Sequence, residues 1–189
     1  MIGGHVVMSR WETPLMRCLA QVVADSKRDV LEVGFGLGIS ADWIQHLGCS
    51  SHTVVEAHPE VAGRARDWAR TKPNAMVVEG FWQDVIDSLG DYDAILFDTY
   101  PTSAEEFAYA SQRFYYPFFP RAAEHLRAGG VFTYFTFEVD ALAEEHSRRL
   151  LSHFDEVRLR LCRGLQPSAD CDYWSASTMV VPEARKDGN

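Results

Sequence analysis

Four acids stand where strands end or helices begin, and their neighbours say what each offers chemically. Asp29-Val30-Leu31-Glu32-Val33-Gly34-Phe35-Gly36-Leu37-Gly38 reads as a short buried strand turning through three alternating glycines into a helix from Gly38 to Leu47. Glycines at these positions remove Cβ where the backbone takes unusual φ or passes close to a ligand. Glu32 lies at the strand's carboxyl end, where open parallel sheets place their ligand crevice. Glu-x-Gly-x-Gly-x-Gly is not the dinucleotide fingerprint Gly-x-Gly-x-x-Gly, because Ile39 occupies the place of its last glycine. The pattern suits a nucleoside cofactor without a pyrophosphate, and S-adenosylmethionine is the candidate. An ordinary glycine-rich turn is the bland alternative. Glu56 ends the next strand, where a carboxylate accepts both ribose hydroxyls. Ala57 and His58 follow, against which an adenine ring would lie. After the third strand, Gly80-Phe81-Trp82 offers backbone to the adenine edge, with Phe81 read equally well as core.

Asp98, in Asp98-Thr99-Tyr100-Pro101, follows the fourth strand, where amino-methylating enzymes carry an acid or amide, then prolines and an aromatic. A nitrogen nucleophile must be aligned with the methyl donor, and a fixed acceptor can orient it and take its proton. A carboxylate there suits a strongly cationic acceptor, because it pairs bidentately with a guanidinium. Glu12, in Arg10-Trp11-Glu12-Thr13-Pro14, becomes a second carboxylate if the N-terminal helix folds over the crevice. Alone it reads as a surface or helix-start acid.

The elements that must position these groups alternate along the chain. Leu15, Met16, Leu19, Val22 and Val23 recur at helical spacing over about 12–24, with Thr13-Pro14 at the start. Strands are expected at 29–33, 52–56, 75–79 and 92–97, and helices at 59–69, 82–89 and 118–126. Gly129-Gly130 reads as the turn into a strand over 131–137, followed by a charged helix over roughly 140–152. Strands near 157–161 and 173–181 close the sheet. The expectation is an α/β class I methyltransferase Rossmann-like fold with an extra N-terminal helix. Its seven-stranded, mostly parallel sheet has one antiparallel strand, because no helix joins the last two, and helices cover both faces. The domain is expected to span 12–183, between an arm at 1–11 and a frayed tail at 184–189.

Composition excludes several classes. A formal charge of −9 over 189 residues argues against nucleic acid or an anionic membrane as partner. Apolar and charged fractions of 47% and 24% are those of a globular chain. Cys18, Cys49, Cys162 and Cys171 form no CxxC pair, so no metal is expected and reduced thiols of a cytoplasmic protein are the simplest reading. His58 has no second ligand at zinc-like spacing. Neither a signal peptide nor a membrane-spanning apolar run is visible.

Met8-Ser9-Arg10-Trp11-Glu12-Thr13-Pro14-Leu15-Met16, Leu31-Glu32-Val33-Gly34-Phe35-Gly36, Trp82-Gln83-Asp84-Val85 and Phe97-Asp98-Thr99-Tyr100-Pro101 together resemble the guanidinoacetate N-methyltransferases and their relatives, the protein-arginine δ-N-methyltransferases. The resemblance runs over about 6–137. It implies that Glu12 and Asp98 grip a guanidino group, that Met8 borders the substrate and that Met16 borders the cofactor. It also implies cofactor contacts from Glu32, Val33, Gly34, Phe35, Gly36 and Leu37, from Glu56, Ala57 and His58, and from Phe81 and Trp82. In that family the backbone after the fifth strand receives a substrate carboxylate. Here the run is Thr136-Phe137-Glu138-Val139, so Phe137 and Glu138 are expected at the substrate, with Glu138 either disfavouring an acidic one or simply facing solvent. The implied activity is methyl transfer from S-adenosylmethionine to a small guanidino compound, leaving S-adenosylhomocysteine, with free or peptidyl arginine as the alternative acceptor. A nicotinamide-linked oxidoreductase and a catalytically silent cofactor-binding module are the rivals from other classes. A homodimer is allowed for.

Overall fold

The computed structural model describes residues 9–99, 114–171 and 173–188. Among them, β1 (Asp25–Val33), β2 (Cys49–Glu56), β3 (Ala75–Glu79), β4 (Tyr92–Phe97), β5 (Leu126–Tyr134), β6 (Glu156–Arg163) and β7 (Thr178–Arg185) form one sheet in the order β3-β2-β1-β4-β5-β7-β6. The first five strands run parallel, and β7 is antiparallel to both β5 and β6. Strand order reverses between β1 and β4, the switch point outside which open α/β sheets bind ligands.

The central strands are apolar on both sides because helices cover both sides. In β4, Ala94 and Leu96 pack with Leu15, Met16 and Leu19 of α1 (Thr13–Val23), while Ile95 and Phe97 face the opposite layer. That layer contains Phe118, Phe119 and Ala122 of α5 (Phe118–His125) and Leu150 of α6 (Glu144–Leu151). α2 (Ile39–Leu47) begins directly after the glycine loop, and α3 (Pro59–Ala69) lays Val61 and Ala65 against Val54 of β2. A short α4 (Trp82–Val85) gives way to a 3-10 turn at Ile86–Ser88, where one continuous helix was expected.

Three boundaries differ from the sequence expectation. β5 starts at Leu126, so Gly129-Gly130 lies within the strand instead of turning into it. The last strand begins at Thr178, not at Tyr173, and so leaves Tyr173 in a loop. The end expected to fray from Ala184 is held instead. Ala184 is fully buried and faces both Phe132 and Val157, and the Lys186 ammonium donates to the carbonyls of Ala123 (2.9 Å) and Leu126 (3.0 Å).

Candidate active site

The carboxyl ends of the first four strands meet at one edge through backbone bonds. Gly34 N–H donates to Val55 O (2.8 Å), Asp98 N–H to Val33 O (2.9 Å) and Gly80 N–H to Glu56 O (3.0 Å). Gly34 has φ of 94°, and a Cβ there would lie 2.1 Å from the Asp98 carbonyl oxygen. Glycine is what lets β1 and β4 close to this distance. Gly38 opens α2 at φ of 75°, with the Phe35 ring filling the space a Cβ would need.

Glu56 is fixed where the sequence places it. Its Oε2 accepts from the Phe35 amide (2.9 Å) and its Oε1 from the His58 amide (2.8 Å). Among the described residues each oxygen accepts one bond, leaving a lone pair of the kind a vicinal diol requires. The buried His58 Nδ1 has no hydrogen-bond partner among the described residues, and Ala57 is half-buried beside it.

Glu32 takes a different place from the one expected. It is fully buried, one oxygen accepting from Ser40 Oγ and the other lying 2.9 Å from His52 Nε2. Gln45 Nε2 reaches His52 Nδ1 at 3.3 Å, which makes Nδ1 the acceptor and Nε2–H the donor to Glu32. Its carboxylate therefore ties β1 to the first turn of α2 and to β2. Other side chains in the expected cofactor set are also structural. Met16 is fully buried in the core. Val33 is buried, and Phe35 stacks edge-on with Trp68 at 5.5 Å. Trp82 packs edge-on against Phe97 and Phe118. Leu37 and Phe81 are exposed. Along residues 34–37, then, a ligand would meet mainly backbone.

Glu12 ends a 3-10 turn, Arg10–Glu12, that runs straight into α1. It is only 5% exposed, and its Oε1 accepts from the Ser9 amide (2.7 Å) and the Tyr173 hydroxyl (2.6 Å). The bond back to Ser9 is half of a capping box. Burial holds the Glu12 carboxyl above its ordinary range, and the Tyr173 and Ser9 bonds pull it back down. The Trp11 and Tyr173 rings lie 5.8 Å apart and wall the turn. Asp98 directly follows β4 and is partly accessible, with no side-chain hydrogen bond among the described residues. The protein packed around it pushes its carboxyl well above the ordinary range, and the charges of Glu12 and then Glu32 push it further. So Glu12 and Asp98 lie within electrostatic reach of each other, and among the described residues no ion pair neutralises either. Such a pair is short of one cation.

Beyond β5 the chain turns at Phe137, which has φ of 57° and lies tilted against the Phe135 ring at 4.4 Å. A non-glycine residue in the left-handed region is held there by its surroundings. Glu138, expected at the substrate or facing solvent, is half-buried and bonded to His146. Its Oε1 accepts from His146 Nδ1 (3.1 Å) and the Ala143 amide (3.3 Å), turning the carboxylate toward α6. His146 Nε2 in turn meets the Tyr134 hydroxyl, which burial keeps protonated. Met8, Tyr100 and Pro101 lie outside the described residues. Sequence reasoning missed Tyr173, Ser40 and His52. Only the fold brings Tyr173, 161 positions away, to Glu12.

Among the described residues no helix is long and apolar enough to cross a membrane. The spermidine synthase of Thermotoga maritima superposes with a TM-score of 0.67 at 19% identity, covering 94% of this chain and 61% of that one. The N-methyltransferase NodS of Bradyrhizobium japonicum WM9 does so at 0.62 and 18%, covering 94% and 97%. At these identities the likeness shows the fold. Protein arginine N-methyltransferase 2 of Candida glabrata is 35% identical over 111 residues, 53% of this chain and 27% of that protein. Its namesake in Aspergillus oryzae is 37% identical over 108 residues, 53% and 26%. The chain thus spans about a quarter of the length of these curated relatives. The model of the guanidinoacetate N-methyltransferase family matches residues 1–160, and the chain belongs to that family of S-adenosylmethionine-dependent methyltransferases.

Proposed function

We propose that this protein transfers a methyl group from S-adenosylmethionine to a guanidino nitrogen of a small, guanidinoacetate-like molecule. The observation that carries this reading is the Glu12–Asp98 pair, two acids that raise each other's burden of charge with no ion-paired cation among the described residues. A guanidinium bridging them would offset both desolvation and repulsion through charge-assisted hydrogen bonds. Its entry lowers both carboxyls toward their ordinary values, so each ionises as the substrate binds.

The residues present suit the cofactor. Glu56, held by two amides, would accept the ribose hydroxyls. The positive-φ glycine loop would present its backbone, and Ala57 with the unpartnered His58 Nδ1 would border the adenine. When bound, S-adenosylmethionine supplies an activated sulfonium methyl group. The chain's part is to make the nitrogen nucleophilic, since a guanidinium with a pKa above about 12 is not. Glu12, clamped by Ser9 and Tyr173, would hold the guanidinium plane. Asp98 would orient the reacting nitrogen and accept its proton as the new N–C bond forms.

Arginine, free or in a peptide, is the competing acceptor, and the name shared by the curated relatives supports it. The test is methyl transfer to guanidinoacetate, arginine, agmatine, guanidine and an arginine-containing peptide, with products weighed by mass spectrometry. Methylated guanidinoacetate as the fastest product supports the reading. Faster transfer to arginine or the peptide moves the substrate to the alternative. Cofactor binding without transfer to any guanidino compound would sink both.

A further inference from the structure

Cys18 of α1 and Cys162 of β6 are 144 positions apart in sequence, yet their sulfurs lie 2.7 Å apart. Cys162 is buried and faces the helix, its Sγ also 3.5 Å from the Pro14 carbonyl oxygen, whereas Cys18 is half-buried. We propose that Cys18 and Cys162 form an oxidation site, a dithiol that closes to an intramolecular disulfide between α1 and β6 when a peroxide reaches Cys18.

The pair has the division of labour that such a closure needs. The Cys162 S–H···S bond, with Arg17 and Arg160 nearby, lowers the Cys18 thiol to about 7, so much of it is thiolate at neutral pH. Cys162 is shifted the other way, by its bond to Cys18 and by burial, and stays protonated until needed. The Cys18 thiolate attacks the peroxide O–O bond, giving Cys18 sulfenic acid and, with one proton, a water. Cys162 sulfur then attacks the Cys18 sulfur and gives up its proton, and the departing hydroxide leaves as a second water. Two thiols lose two electrons and two protons, and one peroxide becomes two waters.

The other cysteines lack these features. Burial pushes the Cys49 thiol up, and the side chains that reach its sulfur are those of Gln45 and Asn74. Cys171 has no cysteine partner among the described residues. The link would fall within two turns of Glu12 and beside the Pro14 carbonyl, fastening the start of the helix that carries Glu12.

The test treats the full chain with a small excess of hydrogen peroxide, alkylates the remaining thiols and maps peptides by mass. The expected product joins the peptides containing residues 18 and 162, is undone by dithiothreitol, and halves the titre of the four thiols. Its melting point should rise by roughly 5–10 °C. In Cys162→Ser, Cys18 should stop at a sulfenic acid that dimedone traps, whereas the wild type yields little adduct. Over-oxidation of Cys18 in the wild type without a cross-link, a cross-link to Cys49 or Cys171 instead, or equal dimedone labelling of both proteins would overturn the proposal. The wild-type map alone decides if the variant does not fold.

Discussion

At the scale of residues, the site is acidic by construction, and hydrogen bonds decide how each acid behaves. Glu12 accepts two bonds at one oxygen, and the Tyr173 bond is what most opposes the rise that burial imposes. Tyr173→Phe removes that bond and leaves the ring beside Trp11. The Glu12 carboxyl then rises, so the acid limb of the kcat/KM profile moves to higher pH, and kcat/KM at neutral pH falls roughly tenfold, the effect of one charged hydrogen bond. A profile superposable on wild type would remove Tyr173 from the site. Glu56→Ala probes the proposed cofactor side. Losing two charge-assisted ribose bonds, together on the order of 2–3 kcal/mol, should weaken S-adenosylmethionine binding between several-fold and a hundredfold by calorimetry. Unchanged affinity would mean that the end of β2 is not the ribose site. The places of Glu56 and Asp98 at strand ends were legible because a strand end followed by a loop has few places to put an acid. Glu32 follows the same rule at the end of β1, and only the packing of Ser40 and His52 shows its carboxylate turned inward.

At the scale of elements, the crevice depends on how closely β1 and β4 converge. Gly34→Ala would bring a methyl group onto the Asp98 carbonyl and force a left-handed φ on alanine. The strand ends must separate, so the variant should melt several degrees lower and lose most of its methyl transfer. A stable, fully active Gly34→Ala would contradict the convergence. Periodicity made α1, the parallel strands and α3 readable, because their buried faces repeat every 3.6 or 2 residues. It failed on β7. Pro182 and Glu183 look like a strand's end, yet β7 continues through both between β5 and β6. Arg160 and Arg185 pair with the buried Glu183 carboxylate, a compensation that no local pattern displays. Shifting β7 along the chain is also what frees Tyr173 for the loop that reaches Glu12.

At the scale of the whole molecule, the family match stops at residue 160, so Tyr173 and β7 lie beyond what resemblance could supply. The fold follows from alternation and the glycine loop, whereas completion of the site depends on long-range closure. That closure has a cost in stability. Asp98 takes up a proton more readily folded than unfolded, so its contribution is fully favourable below the ordinary carboxylate range and is lost as pH rises through its raised value. Asp98→Asn, which cannot ionise, should therefore melt a few degrees above wild type at pH ~8, and the gap should narrow toward pH ~4. An equal gap at both pH values would mean that Asp98 is not electrostatically stressed. The same substitution most directly tests the claim that paired carboxylates drive methyl transfer. Turnover of Asp98→Asn on the best guanidino acceptor should fall by at least about a hundredfold, the scale of a lost general base, with S-adenosylmethionine affinity unchanged. Turnover close to wild type, with the cofactor bound equally well, would contradict it.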